Sequence, residues 1–113
     1  MPIQTAAVEE TAHYQVVFRQ VNEHIAELSP AWTDTGASLF ICECSNTDCA
    51  ESLQITHDEY EQVRADGAHF AVLPGHQRPE IERVVGGDER FLIVEKLGEA
   101  ATVARIADLR RHR

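Results

Sequence analysis

Between Ala7 and Leu28 the apolar residues Tyr14, Val17, Phe18, Val21, Ile25 and Leu28 recur at intervals of three and four, the spacing that sets side chains on one stripe of an α-helix. Glu9 and Glu10 lie near its start, where carboxylates suit the positive end of the helix dipole, and Ser29-Pro30 stops it. The stripe predicts a helix that packs Val17, Phe18, Val21 and Ile25 against a sheet. Residues Ala31 to Ala37 read as a loop, with Trp32 covering an edge of the core.

The period then changes. Ser38 to Cys42 and Glu51 to Ile55 are short β-type segments on either side of a turn-rich loop, Cys44-Ser-Asn-Thr-Asp-Cys49. Thr56-His57-Asp58-Glu59 has the spacing in which a hydroxyl and a carboxylate satisfy each other's terminal amides, so a second helix opens at Thr56 with Tyr60 and Val63 inward. Gly67 is expected to end that helix in a left-handed conformation. Phe70 to Leu73 is a strand broken by Pro74-Gly75-His76. Ile81 to Val85 and Phe91 to Glu95 form a hairpin through Gly86-Gly87-Asp88, and Glu99 to Leu109 is a weakly patterned helix. The order predicts an α+β fold: a small, mainly antiparallel sheet packed by the N-terminal amphipathic helix and a short second helix.

The chain has 113 residues, 43% of them hydrophobic and 26% charged, which suits one domain spanning 1–113 with a modest core. Its longest apolar runs, such as Phe91-Leu92-Ile93-Val94, fall far short of the roughly 20 residues needed to cross a bilayer. The first ten residues have neither a basic nor an apolar leader segment, so a cytoplasmic protein is expected. The net charge of −9 sits entirely in residues 1–60, where ten acids face Arg19 alone; residues 61–113 carry nine acids and nine bases. Such a surface repels phosphate, which disfavours nucleic acid and suits a basic protein partner.

Charge does not explain the cysteines. Cys42, Cys44 and Cys49 are an odd number within eight residues, a poor basis for a disulfide framework and a good one for metal ligation. Residues two apart at a strand end point to the same side, and the loop can return Cys49 to them. Thiolates held that close need a cation, and zinc is the commonest partner, whereas iron–sulfur clusters normally want a fourth cysteine. The fourth ligand is expected to be His76, aimed out of the strand end by Pro74-Gly75. His57, a carboxylate or water remain alternatives. His13 and His24 fall off the apolar stripe, His69 precedes a strand and His112 lies in the tail.

The spacing Cys-x-Cys-x4-Cys is similar to the zinc-binding post-SET segment of lysine methyltransferases, a likeness confined to eight residues that implies ligation only. More widely, Phe18-Arg19-x-Val21-Asn22-Glu23-x-Ile25, Ile41-Cys42-Glu43-Cys44 with Cys49, Thr56-x-x-Glu59-Tyr60-Glu61-x-Val63-Arg64 and Phe70-x-Val72-x-Pro74-Gly75-His76, followed by Glu82-Arg83-Val84-Val85 and Val94-Glu95-Lys96-x-Gly98, resemble a family of small uncharacterised bacterial proteins. The resemblance implies no activity, but it puts His76 inside a motif and His57 at a variable position.

A closed site of Cys42, Cys44, Cys49 and His76 would be structural, in a regulatory or protein-interaction module. An open site, with the three cysteines alone as protein ligands, would instead suit a metal-dependent hydrolase or deaminase. His57-Asp58-Glu59 spells the H-x-E of zinc deaminases, but the Pro-Cys-x-x-Cys half is missing. A thiol redox switch and ordinary buried thiols are the remaining readings. Asn22-Glu23 and Arg64 could serve as functional polar residues, but an Arg–carboxylate pair joining the two helices is the expected reading.

Overall fold

The structure, a computed structural model, describes residues 2–28, 37–44, 46, 48–49 and 51–112. Its elements are α1 (Pro2–Leu28), β1 (Ala37–Ile41), β2 (Ser52–Thr56), α2 (His57–Val63), β3 (His69–Val72), β4 (Glu82–Gly87), β5 (Leu92–Lys96), α3 (Gly98–Ile106) and a 3-10 turn at Leu109–His112. The fold is α+β. In place of one sheet there are two, both antiparallel: β1 pairs with β2, and β3, β5 and β4 form a second sheet in that order. The expected loop with Trp32 falls outside the described residues.

Local chemistry accounts for most of the boundaries. Thr56 Oγ1 accepts from the Glu59 amide at 3.0 Å and Glu59 Oε1 accepts from the Thr56 amide at 2.9 Å, which closes the expected capping box and starts α2. Gly87, at φ +114°, lets β4 turn toward β5, where an added Cβ would lie 2.3 Å from the Phe91 carbonyl oxygen. Gly67 differs from expectation. It is not among the glycines with positive φ, which among the described residues are Gly75, Gly87 and Gly98, and α2 already ends at Val63. What Gly67 permits is close approach: a Cβ there would stand 2.8 Å from Asp108 Oδ2, at the end of α3.

The core joins both sheets and α2. Phe40, Leu53, Ile55, Tyr60, Val63, Phe70, Val72 and Val94 are all buried, and Phe40 stacks on Tyr60 with ring centroids 4.5 Å apart. Each such aliphatic or aromatic side chain contributes roughly 1.5–3 kcal/mol by leaving water.

The α1 helix docks differently from the way its apolar stripe predicts. Val17 and Val21 are 52% and 43% exposed, and Phe18 and Ile25 are only half-buried. The buried face is Gln15, Arg19, Asn22 and Ala26 with Val16 and Glu23, about one residue around the helix from the stripe. Apart from Gln15 Oε1, which is buried without a hydrogen-bond partner among the described residues, its polar groups find partners that the body of the protein leaves open. Asn22 donates to the Ile41 carbonyl and accepts from the Ile41 amide, both at 2.8 Å, completing the end of β1 as a neighbouring strand would. Arg19 donates to the carbonyls of Gly67 and Ala104 at 2.6 and 2.8 Å, with its guanidinium 4.6 Å from the centre of the Phe70 ring. Burial pulls the Arg19 pKa down, the main effect on it. Glu23 accepts from Arg64 at 2.8 Å, the expected bridge between α1 and the end of α2. A buried polar side chain is tolerated when every exposed backbone group it meets is also satisfied, and here that requirement outweighs apolar burial in choosing the face.

Candidate metal centre

The three cysteines, all free thiols, are placed by the junction between the two sheets. Directly after β1 the chain runs on extended through Cys42-Glu43-Cys44. The Cys42 amide donates to the Glu51 carbonyl at 2.9 Å, one rung beyond the Ile41↔Ser52 pair, and the Glu43 amide donates to the Ala71 carbonyl on β3 at 2.8 Å. This segment therefore bridges the two sheets by hydrogen bonds and lies against the free edge of β3.

The alternation expected at a strand end is present. Cys42 and Cys44 face one side, each 2% exposed, while Glu43 faces the other and is fully enclosed. The Glu43 carboxylate accepts from Asn22 Nδ2 at 2.8 Å, Tyr60 Oη at 2.9 Å and the Ala71 amide at 2.9 Å. Burial drives its pKa up, against the pull of these donors. Gln15 adds a hydrogen bond to the Glu43 carbonyl at 3.0 Å. Three elements, α1, α2 and β3, thus meet on the residue between the two cysteines.

Cys49 returns through a tight turn, its amide donating to the Asn46 carbonyl at 3.0 Å and the Asp48 amide donating to Asn46 Oδ1 at 3.0 Å. His76 arrives from the end of β3. Leu73-Pro74-Gly75-His76 closes with the His76 amide donating to the Leu73 carbonyl at 2.9 Å. Pro74 takes the second position and Gly75, at φ +92°, the third, as a type II turn requires. The turn sets His76 Nδ1 3.6 Å from Cys42 Sγ and 3.6 Å from Cys49 Sγ.

The ligand atoms of Cys42, Cys44, Cys49 and His76 all lie within 4.8 Å of one another, close enough to hold a metal ion. Bond lengths of about 2.3 Å to sulfur and 2.0–2.1 Å to nitrogen in a tetrahedral zinc site imply a sulfur–nitrogen edge of roughly 3.6 Å. The two 3.6 Å edges from His76 Nδ1 match it. No family model, curated protein or solved structure matches the chain. The site has to be read from its own chemistry.

That chemistry favours sulfur ligation. The hydrogen bond with Cys42 holds the Cys44 thiol down to about 4, against burial, and the same contact together with burial pushes Cys42 up. Burial also raises Cys49. The Leu73 amide points at Cys42 Sγ from 3.3 Å, a donor suited to a thiolate. On the outer side a cleft of about 310 Å³ is lined by Cys44, Asn46, Gly75, His76, Gln77 and Arg78.

The other histidines stand elsewhere. His57 Nε2 is 3.5 Å from Glu61 on its own helix and His24 is 3.7 Å from Glu27. The side chains of His13 and His112 lie outside the described part. His69 joins Asp66 and Glu95 in a second group whose donor atoms also lie within 4.8 Å. There Arg105 lies 3.5 Å from Asp66 and Arg83 3.0 Å from Glu95, so both carboxylates already have cations and the group is an ion-pair lattice between strands and α3. Sequence reasoning missed Glu43 and its donors, and it missed Glu51, whose Oε2 lies 3.2 Å from His76 Nε2. Only the strand register, which pairs Glu51 with Cys42, could have pointed to Glu51.

Proposed function

We propose that this is a zinc-binding protein in which Cys42, Cys44, Cys49 and His76 hold one structural zinc, and that it serves as a regulatory or protein-interaction module. The observation that carries this reading is the pair of 3.6 Å distances from His76 Nδ1 to Cys42 Sγ and Cys49 Sγ. Three thiols and one imidazole suit zinc better than magnesium or calcium, which prefer oxygen, and better than an iron–sulfur cluster, which normally has four cysteines. With four protein donors no position is left for substrate, which favours structure over hydrolysis. Among the described residues no helix is long and apolar enough to cross a membrane, and clustered reduced thiols suit the cytoplasm. The acidic first half suits a basic protein partner rather than nucleic acid. Membership of the motif-bearing family of small bacterial proteins is part of the same proposal.

Two substitutions test the ligand set. His76→Ala should weaken zinc by more than the roughly 10–100-fold that loss of a ligand's outer partner costs, whereas His57→Ala should leave zinc binding and melting temperature unchanged. Competition with a chromophoric chelator reads both. Unaltered zinc affinity in His76→Ala would make the site three sulfurs and an open position, and the hydrolase reading would replace this one.

A further inference from the structure

We infer that Glu51 is the positioning residue of the metal centre: its carboxylate accepts a hydrogen bond from the Nε2–H of His76, so that His76 ligates through Nδ1. The inference rests on the zinc reading and deepens it. A neutral imidazole has one bare nitrogen and one N–H, and the group that accepts the N–H decides which nitrogen is left for the metal. Here the two nitrogens face different chemistry. Nδ1 stands 3.6 Å from Cys42 Sγ and from Cys49 Sγ, while Nε2 stands 3.2 Å from Glu51 Oε2.

The position of Glu51 follows from the fold. The β1–β2 register pairs Ile41 with Ser52, and the ladder continues through the 2.9 Å bond from the Cys42 amide to the Glu51 carbonyl. Directly opposed residues on antiparallel strands send their side chains to the same face. Cys42 and Glu51 therefore project together, one toward the metal position and the other past it toward the far side of His76. The ring is held between them, and the Pro74-Gly75 turn limits how far it can swing. With its side chain 62% exposed, Glu51 is partly screened by water, which puts its contribution at the lower end of the range for such partners.

The test is a zinc titration of the full reduced chain against a competing chelator for the wild type, Glu51→Gln and Glu51→Ala, combined with nitrogen-15 spectra of the histidine rings in the zinc-loaded protein. Glu51→Ala should bind zinc about tenfold more weakly. Glu51→Gln keeps an acceptor oxygen and should recover part of the loss. Wild-type spectra should show Nδ1 on the metal and an Nε2 proton protected from exchange, and that protection should fall in Glu51→Ala. Unchanged affinity and exchange in Glu51→Ala, or ligation through Nε2, would overturn the role of Glu51 while leaving the zinc reading intact. Failure of the wild type to bind zinc would overturn both.

Discussion

Removing zinc from the purified, reduced protein should lower its melting temperature by about 15 °C. A metal that binds only the folded chain, present at a thousandfold over its Kd, stabilises by about 4 kcal/mol, and a domain of this size shifts by roughly 4 °C per kcal/mol. The structural reason is where the site lies. Cys42 and Cys44 belong to the segment that bonds to Glu51 on one side and Ala71 on the other, so the metal would pin the seam between the two sheets. Without it, three thiols remain in a closely packed junction, and the Cys42–Cys44 segment loses its tie through the metal to Cys49 and His76. Thermal melts before chelation, after it and after zinc is restored would check this. A zinc-free sample that melts unchanged would make the metal incidental to the fold.

The second large effect is expected at Arg64. Its side chain is 1% exposed and meets Glu23 and Asp108, themselves 8% and 9% exposed, and Arg110 reaches the other oxygen of Glu23 at 2.9 Å and Glu61 at 2.6 Å. Arg64→Ala would leave two enclosed carboxylates short of a cation, a loss of about 3–5 kcal/mol. Urea unfolding should show it as a lower midpoint, with Arg64→Lys in between because it keeps the charge without the planar fork. Burial would raise Glu23 and Asp108, but the bonds from Arg110 and Arg64 win at Glu23, and the bond from Arg64 wins at Asp108, so both are held below their usual values. The stabilisation is therefore present above the unfolded carboxylate range, about pH 4, and lost as pH falls through the depressed folded values. Arg64→Ala should flatten that acid limb. A change below about 1 kcal/mol would mean that the network contributes no more than a surface pair.

What could be read from the residues, and what could not, divides along the range of the interactions. The Thr56–Glu59 cap and the Pro74-Gly75 turn depend on neighbours within four residues, and both stand where local spacing puts them. The gathering of Cys42, Cys44 and Cys49 with His76 was legible for the same reason: a strand alternation, a short loop and a turn each act locally, and their sum converges. The docking face of α1 was not. Hydrophobic spacing ranks Val17 and Val21 above Asn22 and Arg19, because it has no knowledge of the open carbonyls at Ile41, Gly67 and Ala104 that those polar side chains bond. Gly67 shows the same limit, since its need for a missing Cβ comes from Asp108, 41 positions away. Glu43 and Glu51 read as ordinary strand polar residues until the register places one against α1 and the other against His76.

X-ray absorption at the zinc edge of the protein, purified reduced and without added metal, reads the centre itself. One zinc per chain, with three sulfurs at about 2.3 Å and one nitrogen at about 2.0 Å, is the expected result. Folded, reduced protein with no metal, or a zinc shell with oxygen in place of the nitrogen, would contradict a closed site built from Cys42, Cys44, Cys49 and His76.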